Sequence, residues 1–110
     1  MLNNNIQLTI ITLSKNDNSK FLRTLNSINS QKINFKVEWL IIDGSSSIMR
    51  KEKNKILKKG LISNNKHNIL IKKINSDKYQ IYGIYPCMNF GKKIAKGKFL
   101  IFLNSGDQFY

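Results

Sequence analysis

Four short apolar runs divide the chain, and a polar, turn-forming cluster follows nearly every one. Leu8 to Leu13 (LTIITL) is β-branched and scarcely interrupted, the pattern of a strand buried on both faces. Ser14 to Ser19 closes it and offers several helix N-caps. Phe21, Leu22, Leu25 and Ile28 then recur at helical spacing and predict a helix to about Ser30. Val37 to Ile42 (VEWLII) predicts a second buried strand, cut off by Asp43-Gly44-Ser45-Ser46-Ser47. A lysine-rich helix with Ile48, Met49, Ile56 and Leu57 apolar follows, with Gly60 as its C-cap. Ile69 to Ile74 gives a short third strand, and 75–83 has no periodicity and reads as a loop. Pro86 suits the first turn of a third helix, closing at Gly97. Lys98 to Leu103 (KFLIFL) completes the set as a fourth buried strand. Alternating strands and helices predict one α/β domain with a mostly parallel sheet.

At 110 residues and 41% hydrophobic, the chain can bury one core. Its net charge of +13 raises a basic nucleic-acid-binding module as a rival reading. Arg23 and Arg50 are the only arginines, however, and arginine is the residue that reads bases and phosphates bidentately. Lys, Asn and Ile are all heavily used and share A/T-rich codons, so genome composition accounts for the charge and no specific nucleic-acid partner is expected. A basic surface would still be drawn to anionic lipid headgroups, as in a peripheral membrane protein. No apolar run nears the roughly 20 residues of a membrane helix, and the N-terminus lacks a signal-peptide pattern. The cytoplasm is the expected compartment. Cys87 has no partner for a disulfide and reads as a core residue, while His67 reads as a solvated loop residue.

The six carboxylates are placed informatively. Asp43 directly follows the second apolar strand, Asp107 ends the turn after the fourth, and Asp17 lies just past the first. Open α/β sheets bind ligands outside the carboxyl ends of their strands. Carboxylates there can contact sugar or base hydroxyls, or hold a hard cation that bridges phosphates. Asp-Gly and Gly-Asp are also ordinary turn pairs, which would explain each aspartate alone. GxGxxG and GxxxxGK[ST] are both absent, which disfavours a dinucleotide-binding domain and a P-loop.

In order, LTIITLSKN, SINSQ, VEWLIIDGSSS and GIYPCMNFGKKIAKGKFLIFLNSGD resemble a bacterial family 2 glycosyltransferase. The likeness is to the surface-polysaccharide branch, whose fourth strand ends in LNSGD rather than LDxDD. The resemblance implies the donor-binding half of a Rossmann-like GT-A domain, with a four-stranded sheet in order 3-2-1-4 flanked by helices. Asp43 and Asp107 would then flank the first strand at one edge of the sheet. The implied ligand is a nucleotide-diphosphate sugar held with Mg²⁺ or Mn²⁺, and complete relatives pass the sugar to a glycan or lipid-linked acceptor. Carried over by position, Thr12 and Leu13 would line the base pocket and Asp43 would accept a hydrogen bond from the base. Asn104 and Asp107 would form the ribose-diphosphate and metal motif, with Asp107 the metal ligand, and Asn89 would lie near it.

The chain departs from that pattern at Pro86, where the branch has Asp, and at Gln80-Ile81-Tyr82, where an acidic residue is usual. Those departures also suit a non-catalytic remnant. The catalytic base belongs to the second half of such a domain, so this chain alone is expected to transfer no sugar. Its fourth strand, apolar on both faces, would be an exposed edge prone to self-association.

Overall fold

The computed structural model describes residues 5–60 and 68–109; His67 lies outside them. Strand and helix alternate as β1 (Leu8–Ser14), α1 (Asn18–Asn29), β2 (Val37–Asp43), α2 (Ser47–Gly60), β3 (Ile69–Asn75), α3 (Ile84–Ile94) and β4 (Phe99–Phe102). The strands form one sheet in the order β3-β2-β1-β4, and every neighbouring pair is parallel. This is the Rossmann-like α/β arrangement expected from the sequence. Each parallel step needs a crossover, and each of the three helices supplies one.

Side chains alternate across the two central strands, so each sheet face receives its own core. Ile10, Val37, Trp39 and Ile41 meet Phe21, Leu25 and Ile28 of α1 and Leu57 of α2 on one face. The Phe21 ring stacks on Trp39 with centroids 5.6 Å apart. Ile11, Leu40 and Ile42 meet Cys87 of α3 on the other face, with Phe90 and Ile94 packed against them. Cys87 is thus a core residue, as its helical position predicts.

The run at 99–103, apolar on both faces, stands as the expected exposed edge: among the described residues β4 has only β1 beside it, and Phe99 is 69% exposed. Three local details differ from the sequence reading. Asp17 stands at the N-cap of α1 without a side-chain cap bond, because its carboxylate accepts a hydrogen bond from Ser14. Helix α3 ends at Ile94 with Ala95 extended, short of Gly97. On α2, Ile48 is 71% exposed while Lys53 is 1% exposed, the reverse of their hydropathies.

Gly97 shows how tightly α3 delivers the chain to β4. A Cβ there would lie 2.5 Å from the Thr9 backbone nitrogen, closer than any side chain tolerates. The Gly97 amide donates to Thr9 Oγ1 (2.8 Å), and Thr9 in turn donates to the buried Glu38 carboxylate (2.9 Å). The same Glu38 oxygen accepts the Lys96 amide (2.9 Å). Gly97→Ala should therefore cost about 1–3 kcal/mol, because the obstructing atoms are backbone and can yield only by shifting β1. Thermal unfolding of the variant beside the parent checks this; an unchanged midpoint would contradict the packing.

Candidate functional site

The carboxyl ends of β1 and β2 and the turn after β4 converge on one edge of the sheet. Three turns meet there. The first (15–17) and second (44–46) are tied together: the Gly44 amide donates to Ser14 O (2.9 Å), and the Asn16 amide donates to Ser45 Oγ (2.8 Å). The Ser46 amide returns a bond to Asn16 Oδ1 (2.9 Å). Asn16 takes φ 51°, a left-handed value that Asn adopts more readily than most residues. The third turn, Asn104-Ser105-Gly106-Asp107, is clamped to α1 by the buried Thr24, whose hydroxyl donates to Asp107 O (2.8 Å) and accepts from the Gly106 amide (2.9 Å). Gly106 sits at φ 98°, a conformation natural only to glycine.

A cavity of about 360 Å³ opens at this edge. Leu13, Ile42 and Cys87 form apolar wall, while Asp17, Asn104 and Ser105 are among its polar residues. The segment after β3 closes one side with Ser76, Asp77, Tyr82 and Gly83. Ser105 Oγ is buried without a hydrogen-bond partner, a polar atom left for a ligand to satisfy. Burial pushes the Cys87 thiol above its ordinary value, so it stays protonated at neutral pH and offers no nucleophile.

The predicted site residues divide between this cavity and its supports. Leu13 and Asn104 line it, and Asn104 Oδ1 accepts the Leu13 amide (3.3 Å). Asp107 is exposed beside it, with Oδ2 accepting the Asn104 amide (2.9 Å). Asp43 lies at the same edge as Asp107, across β1, but its side chain turns toward α2 and lines a second, smaller cavity with Arg50 and Lys73. Thr12 is fully buried: its hydroxyl donates to Leu103 O (2.6 Å) and accepts from Trp39 Nε1 (2.8 Å). Asn89 is exposed on α3, and neither cavity includes it.

Two residues at this edge escape a reading by pattern. Thr24 looks like one polar position in α1, and Lys53 like one lysine among many. The available signal for Lys53 is spacing: it lies four residues from both Met49 and Leu57, on the helix stripe that faces the sheet. Its ammonium donates to Asp43 Oδ1 (2.9 Å), Ser45 Oγ (3.0 Å) and Ser14 Oγ. Among the described residues, no group of three or more His, Cys, Asp or Glu side chains could hold a metal by itself. A hard cation would therefore need oxygens from its ligand, with Asp107 Oδ1 as a protein contribution.

Neither a protein-family model nor a curated protein matches the chain. Among solved structures, it is similar to residues 1–349 of S. aureus TarS, with a TM-score of 0.61 and 20% identity over 94% of this chain and 28% of that one. It is likewise similar to a second S. aureus TarS structure, with a TM-score of 0.56 and 22% identity over 92% of this chain and 17% of that one. At these identities the likeness is one of fold alone, and the chain spans less than a third of either structure's length. No helix among the described residues is long and apolar enough to cross a membrane.

The placement of Thr12 generates a test that separates support from recognition. Thr12→Val should cost about 2 kcal/mol, because the Trp39 indole N–H and the Leu103 carbonyl both lose a buried partner. Urea unfolding followed by the fluorescence of Trp39, the only tryptophan, reads the loss directly.

Proposed function

We propose that this chain is the donor-binding half of a GT-A glycosyltransferase of family 2 type, and that its cavity takes a nucleotide-diphosphate sugar. One observation carries the reading. Strand order reverses between β1 and β4, and the cavity spans that point with Leu13 on one side and Asn104 and Ser105 on the other. Open α/β sheets hold their ligands at such switch points, outside the carboxyl ends of the strands. The mixed wall suits a nucleotide, with apolar surface for a flat base and polar groups for its sugar.

In this reading Leu13 supports the base, and Asn104 and the Ser105 hydroxyl face the ribose-diphosphate. Asp107 Oδ1 would hold Mg²⁺ or Mn²⁺ together with diphosphate oxygens, and the bound cation would supply charge neutralisation to the diphosphate leaving group. Asp43 and Thr12 act from behind the cavity by fixing the strand ends, and Asn89 contributes no contact. None of the described side chains is assigned the role of base toward an acceptor hydroxyl. The sugar, the acceptor and a role in surface-polysaccharide synthesis belong to the proposal through the family resemblance.

Calorimetric titration with a panel of nucleoside diphosphates, with and without Mn²⁺, tests this. One member of the panel should bind, binding should require the cation, and Asp107→Asn should weaken it at least tenfold, since the cation loses a charged oxygen. Metal-independent binding that the variant leaves undiminished would reduce Asp107 to a turn residue.

A further inference from the structure

We infer that Lys53 is the positioning residue of this site, and that Asp17, rather than Asp43, is the carboxylate the cavity presents to a ligand. The inference rests on the nucleotide reading of the cavity and concerns which group reads the ligand's N–H and O–H donors.

The ammonium of Lys53 has three protons and three acceptors within hydrogen-bond reach: Ser14 Oγ, Asp43 Oδ1 and Ser45 Oγ. Its charge lies 5.2 Å from the centre of the Phe21 ring. With the residue 1% exposed, the ion has no route to water and must be matched internally. Asp43 is matched in the same way. Its Oδ1 takes Lys53 and the Ser45 amide (2.9 Å), and its Oδ2 lies 3.8 Å from Arg50 Nε. Asp43 is 4% exposed and lies on the wall of the smaller cavity only. A donor on a ligand in the larger cavity would have to displace a buried ammonium to reach Oδ1.

Asp17 stands differently. It lines the larger cavity, and its side chain is 23% exposed. Oδ1 accepts the Ser14 hydroxyl and lies 3.9 Å from Lys53 Nζ, while Oδ2 has no partner among the described residues. Lys53 therefore acts on Asp17 through Ser14: the ammonium donates to Ser14 Oγ, which frees that hydroxyl's own proton for Asp17. The carboxylate is aimed without being consumed, and one oxygen is left for an imide N–H or a ribose hydroxyl.

Two measurements on the whole chain test this. In thermal unfolding, Lys53→Met and Asp43→Asn should each lower the midpoint by on the order of 10 °C, because each strands a buried partner. Their double variant should lose much less than the sum. Should Lys53→Met fail to fold, the double variant decides: it folds if the pair is the lock, and fails if Lys53 serves something other than Asp43. In calorimetry with the nucleoside diphosphate that binds best, Asp17→Asn should lower affinity at least fivefold with a midpoint near the parent's. Asp43→Asn, assayed well below its own midpoint, should stay within twofold. Additive midpoint losses overturn the lock, and an affinity loss greater in Asp43→Asn than in Asp17→Asn overturns the assignment while leaving the nucleotide reading intact. A parent that binds no member of the panel removes the nucleotide reading and the role of Asp17 together, and the thermal cycle then judges the lock alone.

Discussion

A lysine ammonium buried between two turns sets the terms for the rest of this edge. Taking an ion out of water costs several kcal/mol, and a protein recovers that only where every proton finds an acceptor in good geometry. Lys53 draws its acceptors from the end of β1 on one side and from the end of β2 and the turn after it on the other. Moving any one of them away would strand a charge or a hydroxyl. The ammonium thus makes the relative height of two neighbouring strand ends a matter of electrostatics, where hydrophobic packing alone would tolerate some sliding.

The opposite flank of β1 is fixed by neutral groups. Thr12 joins Trp39 to Leu103 inside the core, and Thr24 reaches from α1 to hold both ends of the last turn. The central strand is therefore gripped at its carboxyl end from both sides, by an ion network toward β2 and by threonine hydroxyls toward β4. The cavity lies over that grip. Its polar residues are supplied by loops, but loops that have little freedom left, a combination that suits a preorganised binding site.

Pattern alone revealed the elements and their order, because strand burial and helical spacing write themselves into hydropathy. The resemblance added the strand order. Orientation is what pattern could not supply. Asp43 follows Ile42 directly, yet Ile42 faces the larger cavity on the α3 side of the sheet and Asp43 turns to the α2 side, since successive strand residues point oppositely. Thr12 and Leu13 part in the same way. The edge position of β4 was expected through the resemblance and not from its own residues, because an interior run and an edge run can carry the same letters and differ only in what lies beside them. Lys53 was obscured by its neighbours, since a helix crowded with lysines gives no reason to single out the one that points inward.

The pairing of β1 with β4 also bears on how the chain reaches this shape. The Thr12–Leu103 hydrogen bond joins residues 91 positions apart, so β1 waits for a distant segment before its second neighbour arrives. Until then Ile10, Ile11 and the Thr12 hydroxyl lie along an unfinished border. Contacts of such long sequence separation slow folding and leave sticky surface open during synthesis. The β1–β2 pair, whose ties at Asn16–Ser45 and Ser14–Lys53 span far shorter loops, has less chain entropy to overcome. The cavity needs residues that follow β4, so it takes form only after β4 has joined β1, and its assembly reports that this distant pairing has been made.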